Sequence, residues 1–167
     1  MPKKKTKVIS RRGNNAPYNH YIGRGSKWGN PFKIGDKDRV TKQRMTRNEV
    51  IVKYFMYLMA RPDLLSQLGD IQGTTLACWC KPDACHGDIL AALADAQDLL
   101  FSQGYDAGDM RPLEIWFKGD NWHASVKKHS HKGIEYGAIT CVNPDLYQAL
   151  RDVIKWTYEQ HKGVENG

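Results

Sequence analysis

The fold is decided by one stretch near the middle of the chain, Leu76-Ala77-Cys78-Trp79-Cys80-Lys81-Pro82-Asp83-Ala84-Cys85-His86-Gly87-Asp88. The residues from Thr74 to Cys78 have the composition of a short buried strand. Apolar residues between Ile89 and Leu100 recur at helical spacing, so we predict an amphipathic helix that begins near Asp88 and ends near Gly104. A strand, a polar loop and a helix in this order are typical of α/β sheets, which place ligand sites at the carboxyl ends of their strands.

Around this stretch the chain divides into three predicted parts. Residues 1–17 form a basic, flexible arm of turn-forming composition, with one short strand possible from Thr6 to Ser10. Residues 18–105 form a Rossmann-like α/β domain in which helices flank a small layered sheet. Its first helix begins at the capping-box sequence Thr46-Arg47-Asn48-Glu49.

Residues 106–167 are predicted to form a β-β-β-α extension that packs on the same core. Alternating patterns from Leu113 to Lys118 and from Trp122 to Lys127 indicate a hairpin, and Ile134 to Val142 is predicted as a third strand. Asn143-Pro144 then begins the last helix with an N-cap residue and a proline.

Composition excludes several classes of protein. A chain of 167 residues that is 41% hydrophobic can bury one real core. It contains no apolar run of about 18 residues, and no apolar stretch follows its first residues, so we expect neither a membrane helix nor a secretory signal, and a cytoplasmic location. Three of the four cysteines fall within eight residues, which suits thiols or a metal site better than a disulfide framework.

The net charge of +7 is unevenly distributed. Residues 1–61 carry 16 Lys and Arg against 3 acidic residues, whereas residues 62–167 carry 9 against 15. A polyanion would therefore meet the N-terminal half first, and this predicts a nucleic-acid or nucleotide-phosphate partner. A terminal run of lysines also serves solubility alone, so that interpretation stays open.

One hypothesis for the cysteine stretch is a zinc site. Cys78, Cys80, Cys85 and His86 together supply three sulfurs and one nitrogen, a set that would complete a tetrahedral structural site. The spacing differs from that of common zinc modules, because all four residues lie within nine positions and two are adjacent. Zinc is therefore one candidate cofactor.

The competing hypothesis is a ligand or catalytic site without metal. His86 to Asp88 would lie at a helix amino end, which favours an anion and lowers the pKa of a nearby thiol. Cys85 is then a candidate nucleophile, with His86 as its base and Asp88 as the third member of the group. Trp79 in the same loop is a candidate ligand contact.

A second loop, Gly23-Arg24-Gly25-Ser26-Lys27-Trp28-Gly29-Asn30-Pro31-Phe32, is rich in residues that permit unusual backbone angles. Arg24 is a candidate clamp for a phosphate or carboxylate. Trp28 is a candidate for stacking on a base, although a Trp in this setting also serves as a lid on the core. We expect Asn30 to contact the ligand as well.

The chain contains two unusual motifs. The first is Tyr21-Ile22-Gly23-Arg24 with Trp28-Gly29-Asn30-Pro31-Phe32, and the second is Leu76-Ala77-Cys78-Trp79-Cys80-Lys81-Pro82 with Cys85-His86-Gly87-Asp88-Ile89-Leu90. Together they resemble the domain-of-unknown-function family numbered 4326, which occurs in phages and bacteria. The resemblance spans about residues 18–95 and leaves out the extension. It implies an α/β fold and a phage-type setting, hence the host cytoplasm and a possible host protein partner. It also implies these signature positions: Arg24, Asn30, Cys78, Cys80, Cys85, His86 and Asp88.

The leading functional hypothesis is a protein that binds or processes a nucleotide, a modified base or a nucleic-acid end where the two loops converge. If it is an enzyme, we expect a transferase or hydrolase that acts on a nucleotide or base derivative. The alternative is a non-enzymatic, zinc-stabilised module that binds nucleic acid or inhibits a host protein.

Overall fold

The computed structural model describes residues 4–101, 113–126, 129–131, 134–136 and 139–165. The predicted domain boundary at 105–106 lies outside these residues. The described elements are, in chain order, strand β1 (Lys7–Ser10), strand β2 (His20–Tyr21), helix α1 (Arg47–Met59), helix α2 (Pro62–Leu65), a 3₁₀ turn (Leu68–Ile71), strand β3 (Thr75–Cys78), helix α3 (His86–Phe101), strands β4 (Leu113–Lys118), β5 (Asn121–Val126), β6 (His129–His131), β7 (Ile134–Tyr136) and β8 (Ile139–Asn143), and helix α4 (Leu146–Glu165).

The parallel sheet has the order β1-β3-β2, so β3 is its central strand. Its register places Lys7 beside Thr75 on one side of β3 and His20 beside Leu76 on the other. Leu76, like its neighbours up to the end of β3, is buried, as expected for a strand covered on both faces. Parallel strands joined through helices confirm the predicted α/β class.

Helix α1 begins with the predicted capping box, in which the Thr46 side chain accepts from Glu49 N and the Glu49 side chain accepts from Thr46 N. One face of the helix is buried in the core: Val50, Ile51, Tyr54, Phe55 and Leu58. Helix α3 is buried almost all round through its first turns, with Ile89, Leu90 and Leu93 at 0% exposure. It begins at His86, two residues before the predicted start.

The extension forms an antiparallel sheet of order β4-β5-β8 that packs with α4. The prediction of one strand from Ile134 to Val142 is wrong. That segment contains two strands with different partners, because β7 pairs with β6 in a separate hairpin whereas β8 pairs with β5. Among the described residues, no helix is long and apolar enough to cross a membrane.

The predicted arm, residues 1–17, includes a sheet strand. The possible strand from Thr6 to Ser10 is confirmed, since β1 pairs with β3 over its full length. Turn-forming residues with little to bury predicted an arm from the sequence. A partner strand satisfies the backbone hydrogen bonds, and that partner lies almost 70 residues away in the chain.

Asp95 on α3 joins the parallel sheet to the extension. Its carboxylate accepts hydrogen bonds from Thr6 N at 3.0 Å and Thr6 Oγ1 at 2.5 Å, and from the Tyr147 hydroxyl of α4 at 2.8 Å. The Asp95 carbonyl accepts a further bond from Arg151. One side chain therefore satisfies donors from the start of the sheet and from the last helix.

We expect Asp95→Ala to lower the free energy of unfolding by roughly 2–4 kcal/mol, because several part-buried donors lose their acceptor together. Urea unfolding of the variant and the parent measures this difference. Asp70→Ala is the matched control, since Asp70 is 66% exposed and pairs only loosely with Lys27, and a pair of that kind contributes less than about 1 kcal/mol. Equal losses in the two variants would contradict the role of Asp95.

Candidate functional site

The candidate site lies where β2 and β3 end and α3 begins. A cavity of about 430 Å³ opens there. It is lined by residues of both predicted loops and of α1: Tyr21, Gly23, Arg24, Asn30, Phe32, Ile34, Arg47, Val50, Ile51, Cys78, Trp79, Cys80, Ala84, Cys85 and His86. The carboxyl ends of parallel strands are the usual place for a ligand in such sheets.

Cys78, Cys80, Cys85 and His86 form a cluster at this point. The four candidate ligand atoms all lie within 4.8 Å of one another. The Sγ atoms of Cys78 and Cys80 are 3.5 Å apart, and Cys85 Sγ is 3.7 Å from His86 Nδ1. Two sulfurs bound to one tetrahedral zinc, each at about 2.3 Å, are separated by about 3.8 Å. The spacing of the cluster is therefore compatible with a metal site.

The ring of His86 is held in one orientation. Its Nε2 lies 2.8 Å from the Ile22 carbonyl, and because a carbonyl only accepts, Nε2 carries a proton. Tyr54 packs edge-on against the ring at 4.9 Å between centroids. Nδ1 is left facing the thiols, and a backbone carbonyl on the distal nitrogen is the usual second partner of a metal-binding histidine.

Cys85 and His86 are adjacent, and both reach the cluster because α3 begins between them. Cys85 Sγ accepts from Gly87 N at 3.3 Å, while the Asp88 carboxylate accepts from Cys85 N at 2.9 Å. The Asp88 contact is one half of a capping box, and the Cys85 thiol caps the amide of the second helical residue in place of a hydroxyl. The backbone turns into the helix at this point, so both neighbouring side chains reach the same centre.

The four groups of the cluster shift one another's pKa values. The pKa of Cys80 is held well below its ordinary value, because Cys78, Cys85 and His86 hydrogen-bond to its thiolate. Hydrogen bonding with the Cys78 and Cys80 sulfurs, followed by burial, raises the pKa of Cys85. Burial alone would lower the pKa of His86, but hydrogen bonds with Cys78 and Cys80 outweigh it and raise the pKa to about 9.

Asp88, the third predicted catalytic residue, serves the loop instead of the cavity. Its carboxylate pairs with Lys81 and accepts the Cys85 amide, and its side chain is 14% exposed. It lines a second cleft of about 640 Å³, together with Lys81 and Pro82 of the cysteine loop. The described contacts thus separate Asp88 from the cavity that Cys85 and His86 line.

Of the four predicted ligand contacts, Arg24, Asn30 and Trp79 line the cavity and Trp28 does not. Trp28 is 4% exposed within the core, and its carbonyl accepts from the Tyr54 hydroxyl. Trp28 therefore matches the alternative interpretation, a lid on the core. The Asn30 amide is engaged at both ends, because it donates to the Val50 carbonyl and accepts from Phe32 N.

Two lining residues with polar side chains, Tyr21 and Arg47, were not predicted as site residues from the sequence. Arg47 forms an ion pair with Asp83 at 3.2 Å and donates to the Ala84 carbonyl, so it ties α1 to the cysteine loop. In the sequence, Arg47 is recognisable only as part of the capping-box motif that begins α1. Tyr21 accepts from Trp79 Nε1 at 3.1 Å, and its position at the end of a predicted strand was the available signal.

Gly87 and Gly29 are required by close packing. A Cβ at Gly87 would lie 2.7 Å from Ile22 Cδ1 and 2.8 Å from Val8 Cγ1, and one at Gly29 would lie 2.7 Å from the Gly23 carbonyl oxygen. Helix α3 thereby approaches the parallel sheet closely, and the Arg24 loop closes tightly on itself. These glycines shape the site through packing, and neither is among the residues that line the cavity.

A family model described as "Domain of unknown function (DUF4326)" matches residues 6–96, more than half of the chain. The chain belongs to this family. The DUF4326 match confirms the resemblance seen in the two motifs, and it also takes in β1 while leaving the extension uncovered. No curated protein and no solved structure showed significant similarity to the chain.

We expect Gly87→Ala to lower the free energy of unfolding by roughly 1–3 kcal/mol, because the added methyl overpacks the contact of α3 with the sheet. Chemical denaturation measures the loss. Val8→Ala in the same chain should restore part of it, since Val8 supplies one of the two contacts. If the loss of unfolding free energy in the double variant equals the sum of the losses in the two single variants, the proposed contact between Val8 and residue 87 is contradicted.

Proposed function

We propose that this DUF4326 domain binds one zinc ion through Cys78, Cys80, Cys85 and His86, and that the zinc centre shapes the floor of a ligand-binding cavity. One observation carries the proposal: four ligand atoms with zinc chemistry lie within 4.8 Å of one another. The supporting contacts are the Ile22 carbonyl on His86 and the Gly87 amide on the Cys85 sulfur.

The donor set favours zinc over harder metals. Thiolate and imidazole suit zinc, whereas calcium and magnesium take oxygen ligands. Four protein ligands complete a tetrahedral site, which is the pattern of a structural centre. Zinc binding would also neutralise thiolates that burial otherwise disfavours.

This proposal gives Cys85 and His86 the role of ligands. Cys85 is 1% exposed with a raised pKa, which is the opposite of a reactive thiol. Asp88 then fixes the loop through Lys81 and the Cys85 amide. A transferase or hydrolase activity would have to use other groups of the cavity.

A second function is favoured by the cavity itself. Arg24 and Trp79, both predicted as ligand contacts, line the same cavity as the cluster. We propose that the domain binds a nucleotide, a modified base or a nucleic-acid end there. The basic N-terminal half supports the same proposal, since it raises the local concentration of a polyanion.

Purified protein should contain about one zinc ion per chain by elemental analysis. A strong chelator should lower the Tm by roughly 10 °C or more, because the free energy of metal binding contributes to folding. Cys78→Ser, Cys80→Ser, Cys85→Ser and His86→Gln should each lose zinc. Cys141→Ser is the matched control, since Cys141 lies in β8, outside the cluster, and should keep both zinc and Tm.

If a ligand variant fails to fold, so that its zinc content is uninformative, cobalt substitution of the parent protein provides a second measurement. The visible absorption of cobalt reports tetrahedral thiolate coordination directly. A parent without metal, a Tm insensitive to chelator, and Cys85→Ser and His86→Ala variants that stay fully stable would reject the zinc centre. That result would favour a metal-free ligand site.

A further inference from the structure

We infer that the cavity accepts a single nucleotide unit, whose phosphate binds Arg24 and whose base stacks on Trp79. This rests on the proposed function, because the zinc cluster forms the floor of the same cavity. It goes further by naming the ligand chemistry and the two residues that recognise it.

Arg24 is the cation that the cavity offers to an anion. It is exposed, and among the described residues it has no hydrogen-bond or ion-pair partner, whereas Arg47 is engaged with Asp83 and Ala84. None of the described residues that line the cavity is acidic. A guanidinium with its donors available suits the planar arrangement of phosphate oxygens.

Trp79 supplies an aromatic surface at the edge of the same cavity. Its side chain is 51% exposed, yet its Nε1 donates to the Tyr21 hydroxyl at 3.1 Å. Tyr21 is itself 37% exposed. An exposed indole that is held by a hydrogen bond offers a base a fixed stacking surface at low entropic cost.

The rest of the cavity agrees with a ligand that is aromatic at one end and anionic at the other. Phe32, Ile34, Val50 and Ile51 give it apolar walls. A volume of about 430 Å³ lies at the small end of the range, about 300–1,000 Å³, of small-molecule sites. This size favours one nucleotide unit over a longer segment of a nucleic acid.

The sequence suggested an anion site at the start of α3, whereas the hydrogen bonds in the structure favour Arg24 as the anion-binding group. The Gly87 amide is engaged by the Cys85 sulfur, and the Cys85 amide by the Asp88 carboxylate. A phosphate at that helix end would meet amides that already have acceptors, one of them a carboxylate. Arg24, on the opposite loop, has no such competition.

A free nucleotide and the 5′-phosphorylated end of a nucleic acid share this chemistry. Titration calorimetry with the zinc-loaded, full-length protein should include 5′-ribonucleoside monophosphates of all four bases, the matching nucleosides, inorganic phosphate and a 5′-phosphorylated dinucleotide. We expect at least one monophosphate to bind with a Kd below about 1 mM, more tightly than its nucleoside or phosphate alone. Equal or tighter binding of the dinucleotide would identify a nucleic-acid end as the source.

Variants separate the two contacts. Arg24→Gln and Trp79→Ala should each weaken monophosphate binding roughly tenfold or more, while Trp79→Phe should retain part of the affinity. Lys118→Gln and Trp116→Ala are controls outside both the cavity lining and the basic N-terminal half and should bind as the parent does. Tm and zinc content should match the parent in Arg24→Gln and Trp79→Ala.

Two failures are distinguishable. Zinc-loaded protein that binds no monophosphate at about 1 mM, or binds it unchanged in Arg24→Gln and Trp79→Ala, would overturn this inference and leave the zinc centre standing. Protein that binds a monophosphate through Arg24 and Trp79 but contains no zinc would reject the zinc centre alone.

Discussion

The convergence of three thiols and an imidazole on one point, with Cys78, Cys85 and His86 buried and Cys80 partly exposed, is the constraint on which the site depends. Cys78 ends the central strand, Cys85 caps α3, and His86 is the first residue of that helix. Burial disfavours separate negative charges on such close sulfurs, and the opposite pKa shifts of Cys80 and Cys85 express this conflict. A bound cation would offset this conflict, and the spacing of the four ligand atoms is compatible with one.

The neighbouring structure holds the cluster through backbone contacts. The Ile22 carbonyl orients His86 from the end of β2, and the Gly87 amide donates to the Cys85 sulfur within the first turn of α3. Gly87 permits this arrangement because its missing Cβ lets the helix approach Val8 and Ile22. The cavity walls therefore form only when the parallel sheet and α3 are packed together.

The extension packs against the DUF4326 domain through the contact of α4 with α3. The family match ends at residue 96, next to Asp95, whose carboxylate bonds both to Thr6 in the matched region and to Tyr147 beyond it. Residues of both parts contribute to one buried cluster, among them Leu93 from α3 and Leu150 from α4. In this chain the core of the family domain thus continues into the extension.

Much of the fold and the position of the site followed from sequence alone, because short-range patterns determine them. Apolar spacing and the capping box at Thr46 and Glu49 predicted α1, and the two motifs contain both of the loops that line the cavity. The sequence did not predict which strands pair with one another. A strand as short as β1 gains its stability from β3, and the segment from Ile134 to Val142 divides between two partners that its own pattern does not specify.

The roles of individual site residues were decided only by tertiary contacts. The sequence could not distinguish Arg24, which has no partner among the described residues, from Asn30, whose amide is engaged by the backbone, or from Trp28, which is buried. Nor could it show that Asp88 faces a different cleft from Cys85. Residue type and spacing determine which chemistry is possible, whereas long-range packing determines which side chains share a cavity and which of their atoms stay free.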